Sequence, residues 1–372
     1  MSGGLPHTLG IIVCKVRQKA PPPFQETGYF KQLTLAGKPF GIRIIVFSPM
    51  DVDWSRRRTP AWQYSMKAKR WICSQEPLPS LIYDRCYYLD STHYMKYKPF
   101  VSRFAQDPSI QLLGRPLGGK MQTHQMLYKH YEIRPYLPDT IKYTSPADVI
   151  TALKQHSAVV IKPNGGSHGK GVAAILPQDE GWVVKGRSRQ NGTVAAPLRS
   201  HSQLVHWVKG FVGTTRYIIQ PYLELTTADG YPFDLRILVQ KDGQGNWVTT
   251  GAAVRAGKQH SLTSNLHGGG QAKRPGPFLS RYYSREQIQS IMHDLRQLAA
   301  HVPRHIESMH GRLLELGLDV GIDRKGRVWL LEVNSKPGRT VFLFTKENET
   351  RQRSIQLPIQ YARSLLKRQT GG

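Results

Sequence analysis

Between Arg312 and Gly338 the chain reads RLLELGLDVGIDRKGRVWLLEVNSKPG, and this stretch leaves few folds open. Two runs rich in β-formers flank the polar, glycine-containing turn at 323–326, the signature of an antiparallel hairpin. Strands facing each other across that turn bring Asp319 beside Glu332 and Asn334, although the carboxylates are 13 positions apart in sequence. Glu332 and Asn334, two residues apart, point to the same face of their strand. Three oxygen donors converging on one point suit a hard cation such as Mg²⁺, commonly held by one or two carboxylates together with nucleotide phosphates. Taken alone, the same residues read equally well as ordinary exposed strand positions.

A second feature raises the stakes of the first. Residues 162–171 spell Lys-Pro-Asn-Gly-Gly-Ser-His-Gly-Lys-Gly. The valines and isoleucine before this loop predict a strand over 158–162, and 172–176 predicts another after it, so the loop caps a hairpin. Gly165, Gly166, Gly169 and Gly171 let backbone amides wrap a phosphate, with Ser167 and His168 between them and Lys162 supplying a point charge. Three rival motifs fail. A Walker A loop lacks its first glycine, because Asn164 stands there, and its Ser or Thr, because Gly171 stands there. A Rossmann fingerprint needs a helix where a strand follows. Gly165 to Gly169 fits G-x-S-x-G and His267 to Gly270 spells HGGG. A nucleophile elbow, however, turns into a helix, and its oxyanion loop lies upstream of the serine.

The rest of the chain alternates strand and helix. Strands are expected at 9–14, 42–47 and 81–83, with helices at 24–35 and from about Asp90, which makes a small parallel-sheet α/β unit ending near residue 115. The arginines at 56–58 read as a solvated loop. Helices follow at 120–130, at 146–155 with Ser145 as N-cap and Pro146 at its first position, and at 202–211. Strands are expected at 217–220, 233–241 and 247–255. A long helix opens on the capping box Ser284 to Gln287, and Pro303 is expected to kink or split it. A last helix is expected at 354–367.

The formal net charge is +27, with +11 in residues 1–150 and +16 in residues 151–372. A field spread this evenly, with no compact basic and aromatic module, does not predict specific nucleic-acid binding. It suits an acidic substrate, an anionic polymer or nucleotide phosphates. The apolar run at 9–14 is too short for a secretory leader, and no stretch reaches the ~20 apolar residues of a membrane helix. Cys14, Cys73 and Cys86 lack metal or disulfide spacing and fit a reducing cytoplasm.

In order and spacing these pieces resemble the ATP-grasp superfamily over about 118–338, and most of the chain is similar to the YheC/YheD family of endospore coat-associated ATP-grasp proteins. VVIKPNGGSHGKGV is similar to the superfamily's strand-and-flap phosphate element, IIQPYLEL to its adenine hinge, and DVGIDRKGRVWLLEVNSKPG to its metal-binding strands. FDLRILV and TSNLHGGG resemble segments of ligases that add glutamate to protein ends.

The resemblance implies an α/β chain with an ATP-grasp fold, α+β in its ATP-binding part. A parallel-sheet pre-ATP-grasp domain at 1–115 would precede a small subdomain at 116–215 and a large one at 216–372. It implies Lys120 and Lys162 on nucleotide phosphates under the glycine flap. Gln220, Pro221, Tyr222 and Leu223 would form the adenine hinge, with Glu224 toward the ribose. Asp319, Glu332 and Asn334 would hold Mg²⁺, with Mn²⁺ as a substitute. Arg236, Arg255, Asn265 and Gly338 would lie at the transferred phosphate and the reacting carbonyl. The implied activity is ATP-dependent ligation of a carboxylate to an amine through an acylphosphate, on an acidic peptide or spore-coat-related substrate. The alternative is a nucleotide-binding assembly protein of the coat. The implied location is the cytoplasm, that of the mother cell included, or the coat itself.

Overall fold

The computed structural model describes residues 7–16, 21–166, 169–259 and 270–370, and three sheets organise them. The first contains β1 (Thr8–Ile12), β2 (Arg43–Phe47), β3 (Arg58–Ser65), β4 (Arg70–Pro77), β5 (Leu81–Asp84) and β6 (Gln111–Leu113) in the order β4-β3-β2-β1-β5-β6. The strands β2, β1, β5 and β6 run parallel, as expected. Their near-continuous apolar runs are covered on both faces, the usual condition of parallel strands. Leu9, Ile11, Ile44 and Leu81 pack with α1 (Thr27–Gly37) and with the C-terminal helix Asn348–Thr370. Ile12, Ile45, Phe47 and Ile82 pack on the other side with Tyr97, Val101 and Phe104 of α2 (Ser91–Gln106). The chain's last helix therefore returns to cover its first sheet.

One expectation in this region is corrected. The arginine run at 56–58 does not sit in a simple loop, because Arg58 begins the antiparallel hairpin β3–β4 that extends the sheet. Alternating polar residues, with Trp62 and Trp71 partly covered, suit a half-solvated edge hairpin. Cys14 and Cys86 are buried and Cys73 is exposed, all of them free thiols.

The second sheet takes β7 (Ile141–Lys142), β8 (Val159–Pro163), β9 (Ala173–Pro177), β10 (Trp182–Arg187), β11 (Thr193–Leu198) and β12 (Tyr217–Pro221), ordered β11-β10-β9-β8-β12-β7. Following α3 (Lys120–Tyr128), the helices α4 (Pro146–His156) and α5 (His201–Val212) cover one face of this sheet, over Val159, Ile161, Ile175 and Ile219. In strand alternation Val160 and Lys162 belong to the opposite face. Ser145 caps α4 in a capping box with Asp148.

The third sheet, ordered β15-β14-β13-β16-β17, contains β13 (Phe233–Lys241), β14 (Trp247–Ala256), β15 (Gln271–Lys273), β16 (Glu315–Ile322) and β17 (Val328–Asn334). Beyond α6 (Pro275–Tyr282), α7 (Arg285–His310) lays Ile291, Leu295, Leu298, Val302 and Ile306 against it, in one core with Leu235, Ile237, Leu318 and Val320. Each such side chain contributes roughly 1.5–3 kcal/mol on burial. This explains a second correction, for α7 runs through Pro303 without splitting. The apolar stripe on both sides of the proline outweighs the ~3 kcal/mol its missing N–H and ring clash cost. Among the described residues no helix is long and apolar enough to cross a membrane.

Candidate functional site

The face of the third sheet opposite α7 carries a row of charges set by strand register. Arg236 on β13 pairs directly with Asp319 on β16, Asp319 with Glu332 on β17, and Asp234 with Arg255 on β14. A bulge beside Asp319 leaves Leu331 without an opposite residue, after which Asn334 faces Gly317. Gly317 has no room for a side chain, because a Cβ there would stand 2.8 Å from Pro337 and 3.4 Å from the Arg236 side chain. Continued from the turn, the register of Val320 with Leu330 would set Asp319 against Leu331, and the bulge shifts it by one residue so that Asp319 faces Glu332.

What the register brings to Asp319 is mostly guanidinium. Arg236 donates from Nε to Asp319 Oδ1 and from Nη2 to Oδ2 at 3.0 Å, a bidentate pair. Arg255 Nη2 lies 3.1 Å from Asp319 Oδ1, and its Nε donates to Asp234 Oδ1 at 2.6 Å. Asn334 Nδ2 donates to Asp319 Oδ2 at 3.3 Å. Burial alone would raise the Asp319 pKa, but Arg236 and Arg255 outweigh it and hold the carboxyl below its ordinary value. Both of its oxygens are engaged, so a cation at Asp319 would compete with the guanidinium groups or with the Asn334 amide. Glu332 gives Oε1 to Lys120 Nζ at 2.9 Å. Among the described residues, Glu332 Oε2 and Asn334 Oδ1 have no partner. Asp319, Glu332 and Asn334 offer oxygen donors, the ligand chemistry of a hard divalent cation, with Asn334 turning its amide nitrogen to Asp319 in this arrangement.

Facing this row are two lysines and the glycine loop. Lys120 opens α3 and also donates to the Gly166 carbonyl at 3.1 Å, so it bridges the glycine loop and the third sheet. Lys162 pairs with β12 through its backbone near the end of β8, and its side chain has no hydrogen bond or ion pair among the described residues. Burial, reinforced by the charge of Lys120, lowers its pKa to about 8, with Glu332 and Asp319 acting the other way. A desolvated ammonium without a fixed counter-ion is set to receive an anion. Gly166, Gly169 and Gly171 have φ of 104°, 69° and 71°, the left-handed region glycine enters freely. At Gly171 a Cβ would also stand 2.9 Å from both Pro163 and the Tyr217 hydroxyl. Gly165 is exposed, and Ser167 and His168 lie outside the described residues.

Sequence reasoning overlooked the residue that ties these parts together. Asn164 accepts the Met121 N–H on Oδ1 at 2.8 Å and the Lys120 N–H on its carbonyl at 2.7 Å. It thereby caps α3 from the neighbouring loop, at a helix whose own N-cap, Gly119, has no side chain to offer. Gly119 must be glycine, since a Cβ would overlap the Asn164 amide. The only signal was the short Pro-Asn-Gly-Gly turn.

The remaining predicted residues are placed as follows. Gln220 and Pro221 end β12, with Gln220 Nε2 donating to Thr140 Oγ1 at 2.7 Å. The Tyr222 N–H donates to the Ala158 carbonyl at 2.9 Å, and the Leu223 carbonyl accepts from Leu225 at 2.9 Å. Glu224 is exposed and pairs with Arg324 at 3.1 Å. A groove of about 780 Å³ takes in Gln220 and Pro221 with Met121, His124 and Tyr128, but none of the lysines or oxygen donors above. Asn265 and the HGGG residues 267–269 lie outside the described residues. Gly338 is exposed, in a turn pinned on either side. Lys336 Nζ donates to Asp84 at 2.7 Å and to the Cys86 carbonyl at 2.9 Å, and Arg339 pairs with Glu315.

That last pair belongs to a second network overlooked in the sequence. Glu315, fully buried at the start of β16, takes Arg339 on Oε2, and on Oε1 it takes the Tyr83 hydroxyl and Arg85 Nη1, the last at 3.1 Å. Arg85, itself buried, reaches Glu26 Oε1 at 2.6 Å. These bonds join the first sheet to the third beside the 335–339 turn.

A family model described as YheC/D like ATP-grasp matches residues 109–365. The endospore coat-associated protein YheC of Bacillus subtilis (strain 168) is 32% identical over 321 residues, 86% of this chain and 87% of that protein. Two solved structures share the fold at low identity. D-cycloserine synthetase DcsG superposes with a TM-score of 0.53 at 15% identity, covering 97% of this chain and 99% of its own. The ATP-grasp ligase PsnB, complexed with a minimal precursor, Mg and ADP, gives 0.51 at 9% identity, covering 94% and 98%. A model match over most of the chain and a relative this similar over nearly its whole length establish that the chain belongs to the YheC/D-like ATP-grasp family.

Proposed function

We propose that this protein is an ATP-dependent ligase that joins a carboxylate to an amine through an acylphosphate. The observation that supports the reading is Lys162, a half-buried ammonium whose side chain makes no ion pair among the described residues, beside Lys120 and within the field of Glu332 and Asp319. Of the three units, 1–115, 116–215 and 216–372, the second contributes the flap and its lysine and the third the acidic row, so the nucleotide lies between them. Mg²⁺, with Mn²⁺ as a substitute, would sit on Asp319, Glu332 and Asn334 and offset the charge of the β- and γ-phosphates. Lys162 and Lys120 neutralise phosphate oxygens, and Gly165 to Gly171 supply amides and a cover that keeps water from the acylphosphate. Pro221 and Leu223 present a carbonyl and an amide to the adenine edge, and Glu224 lies nearest the ribose.

In the first step the substrate carboxylate attacks the γ-phosphorus in line, and the bond to the ADP oxygen breaks. In the second, the amine attacks the acyl carbon and inorganic phosphate leaves with its electron pair, which forms an amide and releases a proton. Arg236 and Arg255 would serve the transferring phosphoryl group, with Asn265 and the Gly338 amide toward the acyl oxygen. The net charge of +27 favours an acidic acceptor, a peptide or polymer. The relative's name supports a spore-coat-related substrate met in the mother-cell cytoplasm or at the coat. The test screens purified protein for ADP release with pooled amino acids, peptides and spore-coat extracts, and seeks a condensed product by mass spectrometry. Tight ATP binding without product in any pool would overturn the ligase reading.

The engagement of both Asp319 oxygens by arginine favours a second reading, a nucleotide-binding coat assembly protein that does not turn over. Glu332→Ala separates the two. Spores that depend on the protein yet tolerate this change would support assembly over ligation.

A further inference from the structure

Away from the nucleotide site, His130, Glu132 and His301 each place one donor atom within 4.8 Å of the others. His130 and Glu132 follow the end of α3, and His301 stands on α7, so the group bridges two helices. His301 Nε2 lies 3.0 Å from Gln297 Oε1, one turn earlier on α7. A carbonyl oxygen only accepts, so Nε2 carries the hydrogen there, and Nδ1 turns toward Glu132 Oε2 at 2.9 Å. An imidazole lone pair and a carboxylate at that distance need a cation between them, either a proton or a metal ion.

His130 adds the second observation: its Nδ1 is buried and has no hydrogen-bond partner among the described residues. The ring is held in place by His305, packed edge to face at 4.9 Å. The His305 Nε2 in turn donates to the Met126 carbonyl at 2.8 Å. The cluster therefore has an oriented imidazole, an unsatisfied imidazole nitrogen and a carboxylate, with a support behind each ring, as outer-shell partners support metal-ligating histidines.

We propose that His130, Glu132 and His301 form a site for a divalent transition metal of the Zn²⁺ class, separate from the nucleotide site. Two imidazoles and one carboxylate suit zinc, nickel, cobalt or copper and not the hard Mg²⁺ expected at the oxygen-only set. Zinc ligands at about 2.0–2.2 Å require the three donors to close in slightly, which half-exposed side chains on a surface can do. Protein side chains fill three positions, and water or a small anion takes the fourth. The site lies at the opposite end of α3 from Lys120, about 12 Å away along the helix. Occupancy clamps that end of α3 to α7, the helix that backs the third sheet.

The test uses the full chain, untagged and stripped of metal. Zn²⁺ is titrated by calorimetry, and Co²⁺ by the visible absorption that reports nitrogen and oxygen ligation. The expected result is one equivalent bound and a raised melting temperature, both unchanged by millimolar Mg²⁺. His130→Ala and His301→Ala lose the binding while still melting cooperatively in EDTA, and Gln297→Ala weakens it roughly 10–100-fold. His293→Ala, an exposed histidine elsewhere on α7, keeps it. Absence of binding in the unmodified protein, binding that survives loss of both histidines, or competition by Mg²⁺ would each overturn the proposal.

Discussion

Lys162→Met tests the nucleotide site through two measurements of opposite sign. In the free protein burial and Lys120 hold the Lys162 pKa at about 8, against an ordinary 10.5. Because the folded value is the lower one, the charged side chain opposes folding below pH 8, and that opposition fades between pH 8 and 10.5. Methionine removes the opposition, so the variant melts at a higher temperature at pH 7. For nucleotide the sign reverses, since a polyphosphate favours the ammonium and restores its pKa to at least the ordinary value. The two values differ by about 2.5, which linkage converts to about 300-fold in affinity. The ATP dissociation constant of the unmodified protein is expected to be flat below pH 8 and then to rise roughly tenfold per pH unit toward 10.5. Calorimetry at pH 9 in two buffers of different ionisation enthalpy should show close to one proton taken up per ATP. Lys162→Met should bind weakly, without that uptake. A pH-independent affinity in the unmodified protein, or a variant less stable than it, would refute the reasoning, because either would mean the protein itself already satisfies this ammonium.

Three further outcomes are expected. Glu315→Ala leaves Arg85 and Arg339 buried without their shared carboxylate and should cost about 3–5 kcal/mol in urea unfolding, with Glu315→Gln costing less. A cost below about 1 kcal/mol would show the arginines find another partner. Glu332→Ala removes an oxygen donor and the partner of Lys120, and ADP release with product should fall about 10²–10³-fold while the melting temperature barely moves. Gly171→Ala combines a left-handed φ with close contact to Pro163 and Tyr217, so about 1–3 kcal/mol of stability should be lost, together with ATP affinity, read by denaturant midpoint and calorimetry.

The elements that were legible in the sequence are those whose own residues settle their shape. β13 has the bounds its β-branched run predicts, and Ser284 with Gln287 and Ser145 with Asp148 close the capping boxes that start α7 and α4. The hairpin that carries Asp319 and Glu332 follows from turn chemistry, while the bulge that sets the two opposite each other does not. What could not be read depends on a distant partner. Glu315 sits in an apolar run, and nothing local says that Arg85, 230 positions earlier, will meet it. β10 and β11 were passed over because their polar alternation and glycines look like loop until β9 is alongside.

Arg236 and Arg255 show a third kind of limit. The resemblance sends them to a phosphate, and the structure seats them on Asp319. One rule yields both placements, since a partly desolvated guanidinium goes to the most negative oxygen within reach. Without nucleotide that oxygen belongs to Asp319. Under the proposed function, a cation on Asp319 would offset the charge that holds the arginines, and the phosphates would offer them a replacement. On that reading the same carboxylate would hold the arginines and then yield them toward the transferring group. That is why the site's residue types were readable in sequence while their partners in the free protein were not.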